Sequence, residues 1–508
     1  MIDAVGLPDL INKRAAATPE AVMLVDQDER TITFADYRDQ VERAAAGLSA
    51  LGVGEGTVVS WQLPTWIESF VLVGALSRLG AVQNPILPIY RKREVAFVCG
   101  QAEAKLLIVP STWRGFDFFA MAEEVAGEVD GLDVLIADKL LPADDPAVLP
   151  PTPNAAGDAV RWLFYTSGTT ADPKGAQHTD ATIMATAIAM DERIKLTADD
   201  RSGLVFPFTH IGGITWLFST LLEGCVTILA EAFDPVETPK VLQRERVTLA
   251  GSGTAFHMAY LGAQRAEPGT KLFEDVRAFP GGGAPKPPQL HYDLKNELGG
   301  VGIVSGYGLT EAPIIAMASV DDADVVLADT EGRATRGVQL RTVTLDGKVG
   351  GIGEEGEIRA KAPQLMKGYL DSSLDADAFD EDGWFRTGDL GVIDAEGNVK
   401  ITGRLKDIII RKGENISAKE VEDLLFTHDK IADVAVIGLP DAASGERACA
   451  VVVLADADQN VSLVDIRDFL TDKGMMLQKV PEQVEYVDAL PRNPTGKVLK
   501  HELRGRFS

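Results

Sequence analysis

Tyr165-Thr166-Ser167-Gly168-Thr169-Thr170-Ala171-Asp172-Pro173-Lys174-Gly175 follows directly on the apolar run Trp162-Leu163-Phe164. Gly168 and Gly175 allow backbone N–H groups to approach anionic oxygens closely. Thr166, Ser167, Thr169 and Thr170 add hydroxyl donors, and Lys174 adds a positive charge. Such a loop can grip a polyphosphate. It is not a Walker loop, because Pro173 stands where the second glycine belongs and Gly175 replaces the Mg²⁺-binding hydroxyl, which disfavours a P-loop kinase or NTPase. Clusters of Gly, Ser and Thr also mark ordinary solvent loops, so the elements around the segment decide its meaning.

Those elements read as an α/β fold with stacked, largely parallel sheets. Tyr37 to Leu51 has apolar spacing near 3.6, while Val58-Val59-Ser60 and Leu106-Leu107-Ile108-Val109 read as buried strands. Alternation of this kind is the rhythm of parallel sheets covered by helices. Pro142, Pro146, Pro150, Pro151 and Pro153 mark a surface connection ahead of the strand that feeds the loop. A strand over Val301 to Val304 ends at Ser305-Gly306-Tyr307-Gly308-Leu309-Thr310-Glu311, and ligands collect at such strand ends.

After Lys406 the pattern changes. Ile408-Ile409-Ile410 reads as a strand, and Ser417-Ala418-Lys419-Glu420 reads as a capping box opening a helix with Val421, Leu424 and Leu425 on its apolar face. Strands at Val434–Ile437 and Ala448–Leu454 precede a helix bearing Leu463, Ile466 and Leu470. The expectation is a large domain over 1–405 and a small mobile α+β domain over 406–508.

The 508 residues include 76 acidic and 49 basic side chains, a formal charge of −27. That balance argues against nucleic acid or an anionic membrane as main partner. Cys99, Cys225 and Cys449 are widely spaced, which excludes a disulfide framework or CxxC zinc site and fits buried small residues in a reducing cytoplasm. No apolar run is long enough to span a bilayer.

The loop at 165–175, the Ser305–Glu311 segment, Tyr369, Gly383-Trp384-Phe385-Arg386-Thr387-Gly388-Asp389, Gly403-Arg404-Leu405-Lys406-Asp407 and Pro491-Arg492-Asn493-Pro494-Thr495-Gly496-Lys497 together resemble the ordered motifs of the adenylate-forming superfamily. It comprises acyl- and aryl-CoA synthetases, adenylation domains of peptide synthetases and firefly-type luciferases. The resemblance implies that a carboxylate attacks the α-phosphorus of ATP, giving an acyl-adenylate and pyrophosphate, and that a thiol then displaces AMP.

By the same resemblance Lys497 is the catalytic lysine, and His210 stands at the mouth of the acyl pocket, with Ile214-Thr215-Trp216-Leu217-Phe218 as apolar wall. Thr166, Ser167, Gly168, Thr169, Thr170 and Lys174 hold phosphates. Tyr307 lies against the adenine, Ser305, Gly306, Gly308 and Thr310 belong to the same nucleotide-binding segment, Gly281, Gly282, Gly283 and Ala284 let the base and acyl group approach the backbone, Asp389 accepts from the ribose hydroxyls, and Arg404 is a second ribose or phosphate contact. Glu311 and Thr170 are Mg²⁺ ligands, and Arg411, Lys412, Gly413 and Glu414 line the thiol tunnel. Lys406 matches the hinge about which the small domain turns between half-reactions. Ala171 departs from the usual glycine and is expected to tune the loop.

The expected cofactors and partners are ATP, Mg²⁺, coenzyme A and a small carboxylic acid, with a homodimer admitted. An aliphatic or alicyclic acid is preferred, because Ile89-Tyr90-Arg91-Lys92-Arg93-Glu94, Trp113-Arg114-Gly115-Phe116-Asp117 and Arg411–Ser417 resemble short- to medium-chain and cyclohexanecarboxylate-type ligases. The alternatives are an aryl-acid ligase, a stand-alone adenylation enzyme loading a carrier protein, and a degenerate nucleotide-binding regulator without turnover.

Overall fold

A computed structural model describes the chain except residues 154–156, 167–172, 285, 412–413, 442–444, 457–459 and 494–495, and the side chains of 414–415. Ser167, Gly168, Thr169, Thr170, Ala171, Lys412 and Gly413 therefore lie outside the described residues, as does the side chain of Glu414.

Two large sheets build most of the N-terminal domain. One runs Leu249–Ala250, Arg201–Leu204, Val226–Leu229, Val22–Asp26 and Thr31–Thr33, parallel except at its last edge. The other runs Lys174–Thr179, Val160–Thr166, Val82–Pro85, Val58–Trp61, Leu106–Val109 and Asp133–Ile136, parallel except for the edge hairpin that brackets the phosphate loop. Leu106–Val109 is buried at every position, as a strand covered on both faces must be. Helices Ile67–Leu79 and Ile211–Glu223 are apolar nearly all round and buried along their length. A single cluster containing Leu24, Trp61, Phe70, Trp162, Phe208 and Phe218 takes members from both sheets and these helices, so the sheets share one core. Phe70 and Phe208 stack there with centroids 3.8 Å apart.

Local signals set several boundaries. The helix expected at Tyr37 starts at Phe34, because Thr33 and Asp36 form a reciprocal capping box. The strand expected at Val301–Val304 is Ile303–Tyr307, which carries Tyr307 to the strand end. The Ser417 box is only half formed. Its hydroxyl accepts from the Glu420 N–H at 3.3 Å, but the Glu420 carboxylate is drawn away to Lys479 at 2.6 Å.

Beyond these two sheets parallel strand pairing is limited to Phe279–Gly282 with Ile303–Tyr307 and, in the C-terminal domain, Gly445–Leu454 with Gln483–Tyr486, among the described residues. Gln339–Val343, Gly356–Lys361, Phe385–Ile393 and Val399–Arg404 form a fully antiparallel sheet. The first and last pairs are joined through the turns Leu345-Asp346-Gly347-Lys348 and Asp394-Ala395-Glu396-Gly397, while the longer connection between the middle strands carries the short helix Asp375–Ala378.

The C-terminal domain has a sheet of Glu414–Ser417, Ile408–Arg411, Gly445–Leu454 and Ile431–Asp441, with Gln483–Tyr486 parallel beside Gly445–Leu454. Helices Ala418–Leu425, Leu463–Asp472 and Lys500–Phe507 cover it. Its clusters, around Ile409, Val421, Leu425, Ile466 and Leu470 and around Ile437, Val451 and Leu503, draw only on residues from 409 onward. Cys99, Cys225 and Cys449 are all buried, as small apolar residues. Among the described residues no helix is long and apolar enough to cross a membrane.

Candidate active site

The ends of these sheets surround a cavity of about 660 Å³, which adjoins a second of about 650 Å³ between the domains. Gly283, Gly306, Gly308, Asp389, Arg404, Lys406 and Lys497 line both.

On one flank Thr166 pairs with Lys174 across the edge hairpin. The Lys174 ammonium lies 5.3 Å from the centre of the Tyr369 ring, a cation–π contact that holds it beside the cavity. The Tyr369 hydroxyl in turn donates to Glu311 Oε1 at 2.8 Å. Burial, then the Glu311 charge, raise the Tyr369 pKa, so this hydroxyl stays a donor. Behind Glu311, His178 Nε2 meets the Thr310 carbonyl at 2.9 Å and Nδ1 meets Thr182 Oγ1 at 3.0 Å. A carbonyl only accepts, so Nε2 carries the proton. Burial depresses the His178 pKa to about 4, which keeps the ring neutral.

Opposite, Phe279–Gly282 and Ile303–Tyr307 run parallel with Gly282 beside Gly306. A Cβ on Gly282 would meet the Gly306 carbonyl oxygen at 2.6 Å, so close strand approach requires glycine here. Tyr307 is buried, and its hydroxyl donates to Asp389 Oδ2 at 2.9 Å. Arg404 Nε takes Asp389 Oδ1 at 2.7 Å from the neighbouring strand. The carboxylate is thus held at both oxygens, each with a lone pair to spare for a hydroxyl.

Lys497 enters from the C-terminal domain. Asn493 Oδ1 accepts from the Lys497 N–H at 2.9 Å, and the Asn493 N–H donates to the Lys497 carbonyl at 2.9 Å, clamping a tight turn. Gly496, at φ +83°, packs that turn toward Ala255 of the large domain. Burial, and then the neighbouring Arg404 charge, depress the Lys497 ammonium to about 7 despite Asp389.

His210 caps helix Ile211–Glu223, its Nδ1 accepting from the Gly212 N–H at 3.1 Å, which leaves the proton of the neutral ring on Nε2. Burial lowers its pKa to about 4. Beyond it the walls are Met190, Phe206, Thr215, Trp216, Ile314 and Met317. Only Thr215 and Trp216 of the expected Ile214–Phe218 wall face the cavity. Ile214, Leu217 and Phe218 are fully buried in the core, because a helix covered all round presents one narrow stripe to any one side.

Two assignments change in detail. Ser305 lines neither cavity; its hydroxyl donates to Glu331, which does line one. Arg411 is committed to the Gln478 carbonyl, at 2.7 Å, and to Glu482, so it is not a spare cation for a phosphate. The backbone of Glu414 begins a strand, Glu414–Ser417. Lys286, Glu331 and His178 escaped sequence reading, since a lone Lys, Glu or His outside a motif carries no local signal.

Among the described residues no group of three or more His, Cys, Asp or Glu could hold a metal by itself. Glu311 alone suits Mg²⁺, which keeps waters and takes one or two carboxylates together with substrate phosphates.

Residues 11–370 match the model of the AMP-binding enzyme family, and 420–497 match that of the AMP-binding enzyme C-terminal domain. A medium-chain fatty-acid–CoA ligase of Escherichia coli is 32% identical over 98% of this chain and 90% of its own. A 2-hydroxy-7-methoxy-5-methyl-1-naphthoate–CoA ligase of Streptomyces carzinostaticus is 33% identical over 97% and 92%. The structure of ATP-bound MatB from Rhodopseudomonas palustris superposes with a TM-score of 0.87 at 28% identity, covering 98% of this chain and 99% of that one. With ordered motifs, two-domain fold and convergent cavity in agreement, this chain belongs to the AMP-binding enzyme family and is an adenylate-forming enzyme of the acyl-CoA synthetase type.

Proposed function

We propose that the chain is an ATP-dependent ligase that joins an aliphatic or alicyclic carboxylic acid to coenzyme A through an acyl-adenylate. The observation that supports this most is the lining of the 660 Å³ cavity, which combines the cations Lys497, Arg404 and Lys174 with the apolar side chains of Met190, Phe206, Trp216, Ile314 and Met317. A carboxylate drawn to the cations would leave its hydrocarbon tail among the apolar groups. Apolar wall contacts recognise size and shape more than functional groups.

The chemical difficulty is bringing two anions together. Lys497 is placed to bridge the substrate carboxylate and the α-phosphate, while Lys174 and the 165–175 loop take the outer phosphates. Asp389, oriented by Tyr307 and Arg404, accepts from the ribose hydroxyls. Mg²⁺ on Glu311 would supply further positive charge to the phosphates. Preorganised charge of this kind is worth about 10² to 10³ in rate per group, and alignment of the reactants supplies more. In the second half-reaction residues 406–508 turn about Lys406, Lys497 withdraws, and the segment from Arg411 comes to the thiol.

A panel of C2 to C18, alicyclic and benzoic acids, assayed by CoA-dependent AMP release, tests the substrate class. Aliphatic or alicyclic acids should show the highest kcat/KM. Preference for benzoic or naphthoic acids would replace this reading by the aryl-acid one, and turnover with a carrier phosphopantetheine but not free CoA would replace the acceptor.

A further inference from the structure

Ser305, Glu331 and Lys286 form a buried polar group beside the adenine end of the inter-domain cavity. The Ser305 hydroxyl donates to Glu331 Oε2, and the Lys286 ammonium lies 3.6 Å from Oε1 while donating to the Thr330 carbonyl at 2.8 Å. Lys286 is almost wholly buried, and burial lowers its pKa. The backbone beneath is fixed too: the Glu331 N–H donates to Val399 O at 2.7 Å, and the Val399 N–H returns to Gly332 O at 2.7 Å. Glu331 nonetheless keeps 15% of its side chain exposed, and it lines the cavity together with Gly283, Ala284 and Tyr307. A carboxylate anchored from behind at both oxygens, on pinned backbone, and still open to a binding cavity is built to face a ligand.

We infer that Glu331 reads the 6-position of the purine and makes this site select a 6-amino over a 6-oxo nucleotide, an inference that rests on the nucleotide reading given above and extends it, through Gly283, Gly306 and Asp389 that line both cavities, into the 650 Å³ one. Ser305 and Tyr307 are two residues apart on one strand, so their side chains leave the same face about 7 Å apart. Tyr307 holds Asp389, the ribose acceptor, and Ser305 holds Glu331. The two carboxylates thus mark the two ends of a nucleoside laid along that strand edge. An ionised carboxylate only accepts. It attracts the N–H of adenine's 6-amine and repels the 6-carbonyl oxygen of hypoxanthine or guanine, and in a site shielded from water neither effect is screened. Ser305, hydrogen-bonded to one carboxylate oxygen, and Lys286, an ion-pair partner 3.6 Å from the other, act as positioning residues.

The test is the ratio of dissociation constants for ATP and ITP, each with Mg²⁺, measured by titration calorimetry without acid or CoA. A wrong assignment of the acid substrate leaves this measurement untouched. Wild-type protein should prefer ATP. Glu331→Gln, whose amide can turn to donate to the 6-carbonyl, should shrink that preference on the order of 10- to 100-fold. Ser305→Ala, which frees one oxygen without leaving Lys286 unpaired, should shrink it several-fold. A carboxylate serving only as counter-ion to Lys286 would weaken both nucleotides equally, so an ATP-to-ITP ratio unchanged in the folded variants overturns the inference.

Discussion

Lys497 unites position and charge. Burial first, and then the neighbouring Arg404 and Lys406 charges, disfavour its charged form until an anion arrives and push its pKa down to about 7. ATP and the substrate carboxylate should restore the proton. The sign follows directly: adenylation needs the protonated form, so kcat/KM for ATP should fall about tenfold per pH unit above roughly 7, while kcat, which reports the loaded enzyme, should hold to higher pH. Pyrophosphate release across pH 6 to 10 checks this, and a flat kcat/KM profile would count against it. Lys497→Ala should lose about 10² to 10³ in adenylation yet still convert a supplied acyl-adenylate to thioester. Loss of both half-reactions would remove Lys497 from the first step alone.

The pair of parallel strands Phe279–Gly282 and Ile303–Tyr307 positions the nucleotide end of the site, and the pair tolerates no side chain at Gly282. Gly282→Ala would drive a methyl group to 2.6 Å from the Gly306 carbonyl, backbone against backbone, which no rotamer change relieves. Overpacking of this kind costs about 1 to 3 kcal/mol, and the strands would relieve it by parting where the adenine is to lie. ATP affinity should drop on the order of tenfold or more, read by calorimetry, with the melting temperature lowered modestly. Gly283→Ala makes a useful contrast. At φ +74° with open space around the new Cβ, it should cost backbone strain without a clash.

Two sheets with one shared core make the large domain stiff, whereas residues from 409 onward keep cores of their own. Rotation of the smaller unit therefore breaks no hydrophobic cluster. The Leu405–Asp407 turn joins strand Val399–Arg404 to strand Ile408–Arg411, where a change in two dihedrals would swing the whole unit. Lys406→Pro, by fixing φ, should leave adenylate formation largely intact and slow thioesterification. Separate assays of ATP–pyrophosphate exchange and thioester formation from supplied adenylate distinguish this from a general loss, which would move the hinge elsewhere.

The sequence by itself determined the chemistry and the class of fold. Thr166, Lys174, Asp389, Arg404 and Lys497 sit in contiguous motifs, so their spacing can be read along the chain. Buried strands such as Leu106–Val109 announced themselves by composition, because a strand covered on both faces has little choice of residue. Only the tertiary structure decided which groups meet across long stretches of chain. His178 supports Thr310 from 132 residues away, Tyr369 holds Glu311 from 58, and Tyr307 steadies Asp389 from 82. It also joined the Ser305 hydroxyl to Glu331 and sent Leu217 into the core while leaving Trp216 on the cavity. Hydrogen bonds and packing act over a few ångströms of space, and no pattern along the chain encodes which distant residues will share them.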